Sequence, residues 1–192
     1  MNLQEEPDWS KTLAAVAGVV VLAALVLLGM GRTMWGAAEG FGLWSGDIDS
    51  KFNSQRLTDP YTFSHISHGL VFFLLLSLAF ADRLAERYRM VVAVVLEGVW
   101  EVVENTPMVI DRFRETTIAQ GYYGDSVLNS VGDVMACAVG FAIAIRLTNR
   151  WWVLGLFALL EGLLAVWIRD NMTLNIIMLV YPIPGLREWQ AG

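Results

Sequence analysis

The chain has one cysteine, Cys137, in 192 residues, so no internal disulfide is possible. A lone cysteine says nothing about the redox state of its compartment, and the plain reading is a small apolar core residue. Charge is also scarce: Asp, Glu, Lys and Arg supply only 17% of the chain, with a formal balance of −6. No basic stripe exists that could neutralise phosphates, which excludes nucleic acid as a partner. No internal repeat and no low-complexity linker divides the sequence, and its length fits one domain, residues 1–192.

What is abundant is apolar. Hydrophobic residues make up 56% of the chain and the mean hydropathy is +0.51, too high for a soluble globule. Eight Trp, eight Met and seventeen Gly suit a membrane bundle, in which small residues let helices approach and Trp sits at the interfaces. A span needs roughly 20 mostly apolar residues to cross a ~30 Å core. The sequence predicts an all-α integral membrane protein with a bundle of about five transmembrane helices, at 13–30, 65–81, 90–105, 126–145 and 151–168.

The first apolar run is longer than a signal peptide's core, and Glu5, Glu6 and Asp8 stand where a signal needs positive charge, so an uncleaved anchor is expected. Asp59-Pro60 reads as a cap and first-turn pair for the second helix, and Pro107 as the stop of the third. Trp151, Trp152 and Trp167 fit interface anchors, while 172–181 is too short to span and should lie in the interface or dip back. Lys11, Arg83, Arg87, Arg89, Arg146 and Arg150 concentrate on the N-terminus and the connections 82–89 and 146–150. Their density there is nearly three times that of 31–64, 106–124 and 169–192. That asymmetry places the N-terminus inside and the C-terminus outside.

The third helix carries residues that do not belong in lipid. Glu97, Glu101 and Glu104 are four and three apart and so share one face. Each charge near a helix centre costs roughly 2.5–3.5 kcal/mol, whereas each Val or Leu returns about 0.3–0.6. The stripe must therefore face a protein interior, a partner charge or a water-filled cavity. Asp125, Asn129 and Asp133 follow at four-residue intervals in the fourth helix, and the second begins with His65 and His68 beside Ser64 and Ser67. The topology brings these starts and ends to one level, with Glu97 and Asp133 deepest. The loop 106–124, with Arg112, Arg114, Tyr122 and Tyr123, would roof the cluster.

Plainer readings stand beside this one. Asp125 follows Gly124 and is placed to be an N-cap; Glu104 and Asn105 sit at a helix end where water reaches them. Arg112 and Arg114 alternate with Asp111 and Glu115 as in a surface salt-bridge network, and His65 fits an interfacial residue without a partner. Glu161 is a lone structural hydrogen-bonder or a further cavity wall.

Three runs carry a family resemblance: Ser64-His-Ile-Ser-His-Gly69, Glu97-Gly-Val-Trp-Glu-Val-Val-Glu-Asn-Thr-Pro107, and Gly121-Tyr-Tyr-Gly-Asp-Ser-Val-Leu-Asn129 followed by Asp133. Over nearly its whole length the chain resembles domain-of-unknown-function family 2585, an uncharacterised group of bacterial inner-membrane proteins. The resemblance implies a multi-pass plasma-membrane protein and no particular activity. The His-Gly-x-x-Phe helix and the Asp-x-x-x-Asn-x-x-x-Asp helix are also similar to VanZ-like membrane proteins, linked to glycopeptide resistance of the cell envelope. The block Glu97-Gly-Val-Trp-Glu101 departs from the shorter Glu-x-x-Gln pattern of that group.

Three function classes follow. The first is a membrane-embedded acid/base catalyst or binder acting on a lipid or lipid-linked envelope precursor at the outer face. Its catalytic candidates are His68, Glu97, Glu101, Asn129 and Asp133; its substrate-binding candidates are His65, Glu104, Asn105, Arg112, Arg114, Tyr122, Tyr123 and Asp125. The second is a proton or cation pathway, disfavoured as a carrier because five short helices without inverted repeats do not match carrier designs, with a small channel built by oligomerisation left open. The third is a structural or assembly subunit of a membrane complex, with the stripes as glue between helices. No cofactor is assigned. His-x-x-His with nearby carboxylates matches no metal signature, and no His-Glu-x-x-His is present, so no metal is assigned either.

Overall fold

The computed structural model describes residues 9–36, 41–147 and 149–192; Glu5, Glu6 and Asp8, on which the anchor reading rested, lie outside them. The described residues form eight helices: α1 (Trp9–Gly29), α2 (Thr62–Phe80), α3 (Glu86–Glu104), α4 (Pro107–Thr116), α5 (Val127–Arg146), α6 (Arg150–Trp167), α7 (Met172–Val180) and α8 (Pro184–Ala191). One isolated bridge, Trp44 to Thr58, is the only strand-like pairing among them.

Helices α1, α2, α5 and α6 are long and apolar enough to cross a membrane. Helix α3 has 19 residues, about 28 Å at 1.5 Å each, and packs against α1, α2 and α5 despite its three carboxylates. These five make the bundle. Helices α1 and α3 begin four residues before their expected starts, because their first turns are polar and hydrophobicity does not flag them. One of those residues, Arg89, belongs to α3 rather than to a connection. It is buried, donates to Ser77 Oγ at 2.5 Å and lies 3.7 Å from Glu86.

Two capping expectations are corrected. The N-cap of α2 is Tyr61, not Asp59; Asp59 instead accepts the Tyr61 amide at 2.8 Å and shapes the turn ahead of the helix. The N-cap of α5 is Ser126, whose hydroxyl accepts the Asn129 amide, so Asp125 is free of that role. The segment after α3, expected as a loop, holds the ten-residue α4. Pro107 both ends α3 and occupies the first turn of α4, where a missing N–H costs nothing.

The closest crossing is α2 on α5, and glycine makes it. A methyl at Gly69 would sit 2.1 Å from the Cys137 carbonyl oxygen, and one at Gly140 2.2 Å from that of Ile66. Backbone thus meets backbone, the arrangement small residues permit in membranes. Beside it an apolar core forms from Val16 of α1, Leu76 of α2, Met90, Ala93 and Val94 of α3, and Val134, Ala138 and Phe141 of α5. That core lies toward the end where Arg89 meets Ser77. Polar residues collect at the other end, where α2 and α5 begin and α3 stops.

The described residues between α1 and α2 close that second end. Amides of Val127 and Leu128 donate to carbonyls of Thr33 and Met34, and the Ser126 amide to that of Ser54. Arg32 reaches the carbonyls of Tyr123 and Asp125 at 2.6 and 3.1 Å. Trp44 stacks on Trp167 with centroids 6.3 Å apart, tying this connection to the end of α6. Trp151 and Trp152 are exposed, as interface anchors should be. Helix α7, at nine residues, is too short to span and packs on α2 and α4.

Candidate functional site

The spacing of the polar residues decides what meets. On α2, His65 and His68 are three apart and lie on one face; on α3, Glu97 and Glu101 lie on the facing stripe. Glu97 is fully buried and holds both imidazoles. His65 Nδ1 is 2.5 Å from Glu97 Oε1, and His68 Nδ1 is 2.8 and 2.9 Å from its two oxygens. A carboxylate only accepts, so an ionised Glu97 fixes the proton of each ring on Nδ1 and leaves each Nε2 for other work. The rings stand nearly edge to face, with centroids 5.0 Å apart.

One turn along, Glu101 is equally buried, yet neither of its oxygens has a hydrogen-bond partner. His65 Nδ1 is 3.4 Å away from it. From α5, Asp133 places Oδ2 3.8 Å from His65 Nε2 and accepts from Thr62 Oγ1 at 3.1 Å through its other oxygen. Three helices therefore deliver His65, His68, Glu97, Glu101 and Asp133 to one place.

Above this base opens a cavity of about 400 Å³. His65, His68, Asn129 and Asp133 form its floor; Glu104, Tyr122, Tyr123 and Asp125 line it nearer the surface. Apolar walls come from Trp100, Phe113, Met172, Ile176 and Leu179. Polar floor under apolar walls is the usual make-up of a ligand site. Glu97 and Glu101 stand behind the floor rather than on it.

A second polar layer braces the wall. Asn105 is buried and pairs doubly with Asp125, donating to Oδ2 at 2.8 Å and accepting the Asp125 amide at 2.7 Å; Tyr122 adds a hydroxyl at 2.9 Å. Burial pushes the Asp125 carboxyl up, against the lowering effect of those hydrogen bonds, and pushes the Tyr122 phenol well above its ordinary value beside it. Asp59, at the mouth of α2, accepts the Ser54 amide at 2.8 Å and the Asn129 amide group at 3.4 Å, and burial raises its carboxyl too.

Arg112 and Arg114 are not brought to the cavity. Arg112 donates to the Leu179 carbonyl at 2.9 Å, holding α4 to α7, and Arg114 to the Tyr122 carbonyl, with Asp111 3.4 Å away. Glu161 is a structural hydrogen-bonder: it accepts the Thr173 amide at 2.9 Å where α7 begins, and it does not line the cavity. Asn105 is buried rather than solvated, and His65 has partners on two helices.

Several cavity residues carried no signal in the sequence. Gln55, Asp59 and Tyr61 come from the irregular connection, and Asn175 from α7. Tyr61 donates to Asp170 at 3.0 Å, where Asn175 and Gln190 also donate, at 3.1 and 2.9 Å. Burial pushes Asp170 up to about 6. Only Asp59, noticeable ahead of Pro60, could have been picked out in advance, and the pattern there reads as a cap.

Fold and cluster together define a multi-pass helical membrane protein whose ionisable residues converge under a cavity at one end of its bundle. The chain belongs to the family described as a protein of unknown function (DUF2585), whose model matches residues 27–192. It is 45% identical over 177 residues to a UPF0314 protein of Sphingopyxis alaskensis, covering 92% of this chain and 93% of that one. It is 43% identical over 186 residues to a UPF0314 protein of Paracoccus denitrificans, covering 97% and 93%. A UPF0314 protein of Rhizobium meliloti is 44% identical over 181 residues, covering 94% and 90%. No solved structure matches the chain. The looser likeness to VanZ-like proteins gains no support from these relatives.

Proposed function

We propose that this protein is a binder or acid/base catalyst of the bacterial inner membrane, acting on a lipid or lipid-linked envelope precursor at the outer face. The observation that supports it best is the His68–Glu97–His65 cluster at the floor of a cavity of about 400 Å³ with apolar walls. Histidine on a buried carboxylate is a group suited to moving protons near neutral pH. The apolar walls suit acyl or isoprenoid chains, and Asn129, Tyr122 and Tyr123 offer hydrogen bonds to a headgroup. Within this reading His68, Asn129 and Asp133 touch the substrate, while Glu97 positions the histidines and Glu101 backs Asp133. Arg112 and Arg114 hold the wall rather than the headgroup.

The outer face follows from the Lys and Arg asymmetry, which puts the N-terminus inside and the cavity end outside. Reporter fusions after Arg89 and Arg150 are expected to read cytoplasmic, and those after Thr117 and Gly192 periplasmic; a cytoplasmic C-terminus overturns the orientation. For the activity, lipids and lipid-linked precursors are compared between a strain lacking the protein and the same strain carrying wild type or His68→Asn. One species should accumulate in the deletion, vanish with wild type and persist with His68→Asn at equal abundance in the membrane. An unchanged profile in all three strains counts against the proposal.

The role of glue alone fits the structure less well. Glue requires each buried carboxylate to be hydrogen-bonded, and Glu101 is not.

A further inference from the structure

We infer that His65, Glu101 and Asp133 form a binding site for one divalent transition-metal ion, of the zinc or manganese class, at the floor of the cavity. One donor atom from each of the three residues lies within 4.8 Å of the other two, and the residues come from three different helices. In a tetrahedral site with bonds of about 2.0–2.2 Å, neighbouring donors stand about 3.4 Å apart. His65 Nε2 and Asp133 Oδ2 are 3.8 Å apart, a separation that rotation of one carboxylate closes.

The second observation is independent of that spacing. Glu101 is 1% exposed, and both its oxygens lack any hydrogen-bond partner. A buried carboxylate left so costs several kcal/mol once ionised, and the two histidines nearest it are already bonded to Glu97. The ion pairs of Arg89 and Arg114 go to Glu86 and Asp111, away from Glu101 and Asp133. A divalent cation supplies what is missing, since its charge balances the two carboxylates.

Glu97 completes the design from behind. It accepts from His65 Nδ1 at 2.5 Å, which turns Nε2 toward Asp133 with its lone pair available. A carboxylate on the far nitrogen of a ligating histidine is the usual outer support of a metal site. His65 and Asp133 both face the cavity, so the coordination left open by three protein donors points into it. A phosphate or carboxylate oxygen of a bound molecule would complete the ion there. The neighbouring triad of Glu101, Glu104 and Asp125 is not offered as a second site, because Asp125 is already bonded to Asn105 and Tyr122.

The inference concerns the floor of the proposed active site but needs no substrate, so the two fail separately. Protein purified in detergent without a histidine tag is stripped with chelator and then offered Zn²⁺, Mn²⁺ or Mg²⁺. Retained metal is measured by elemental analysis after gel filtration, and thermal midpoint is followed with and without metal. Wild type should retain roughly one Zn²⁺ or Mn²⁺ per chain against excess Mg²⁺ and melt at a higher temperature with it. Glu101→Gln and Asp133→Asn should each lose the retained ion and the thermal shift. Glu97→Gln should weaken binding roughly 10–100-fold. Asp170→Asn, outside the cluster, should leave binding unchanged. If Glu101→Gln fails to fold, Asp133→Asn decides. Wild type that retains no ion, or variants that retain it as wild type does, would overturn the site. Metal binding with an unchanged lipid profile would keep the site and remove the catalytic reading.

Discussion

Glu97 and Glu101 stand one turn apart on the same face of α3, both within 1% of complete burial, and their surroundings could hardly differ more. Glu97 has two imidazoles on its oxygens. Glu101 has nothing bonded to either oxygen. Both look alike in the sequence, as carboxylates that must avoid lipid. The structure separates a carboxylate that holds other groups in place from one that no hydrogen bond holds. The first stabilises the fold, and the second is tolerated by it.

The largest effect should come from removing the frame that both residues depend on. Gly140→Leu drives a side chain into the Ile66 carbonyl, where no side-chain rotation can relieve the clash. Overpacking of this kind costs about 3 kcal/mol or more. The variant should fail to accumulate in membranes, as read by immunoblot, while Gly155→Leu on α6, with open space around it, should accumulate normally.

Next comes the comparison itself. Glu97→Ala leaves two inward-facing histidines without their acceptor, and breaking a buried pair from one side costs roughly 3–5 kcal/mol. Glu101→Gln exchanges a carboxyl that nothing bonds for an amide of the same shape, and should change metal-free stability by about 1 kcal/mol or less. Thermal midpoints of chelator-treated protein in detergent check both. Equal losses would erase the distinction between the two residues.

Asp170 sharpens the contrast from outside the spans. It is a buried carboxylate with four donors, from Tyr61, Asn171, Asn175 and Gln190. Burial still prevails over those bonds and holds its carboxyl at about 6 rather than 3.8. The folded state therefore binds this proton more tightly than the unfolded chain. Its contribution to stability is complete below about pH 4 and is lost as pH rises through 6, on the order of a few kcal/mol. Amide protection in α7 and α8, corrected for the intrinsic pH dependence of exchange, should fall between about pH 4 and 6, and Asp170→Asn should flatten that dependence. Unchanged protection in wild type over the same range contradicts the assignment.

The bundle was legible because membrane spans announce themselves by length and hydropathy. Starts such as Trp9 and Glu86 escaped because polar first turns resemble connections. The convergence of His65, His68, Glu97, Glu101 and Asp133 was also legible, since helical spacing and alternating direction place them together. Which carboxylate would be paired was not, because that depends on where two imidazoles point. Arg112 and Arg114 were placed at the site because Arg is the usual anion-binding residue. In the structure, main-chain carbonyls of Leu179 and Tyr122 take them. Gln55, Asp59 and Tyr61 arrive on a connection without periodicity, where spacing offers no face to read.

Thiol labelling tests most directly whether water and ligand reach the cavity from the periplasmic side. With Cys137 replaced by serine, single cysteines are placed at Tyr123 near the mouth, Asn129 at the floor and Tyr88 at the opposite end. A membrane-impermeant thiol reagent is added to intact cells whose outer membrane has been permeabilised. Tyr123→Cys and Asn129→Cys should be modified, Asn129→Cys more slowly, and Tyr88→Cys only after the inner membrane is opened. Labelling of Tyr88→Cys in intact cells, or protection of Asn129→Cys under every condition in folded protein, would contradict an outward-facing site and leave the buried carboxylates as parts of the frame alone.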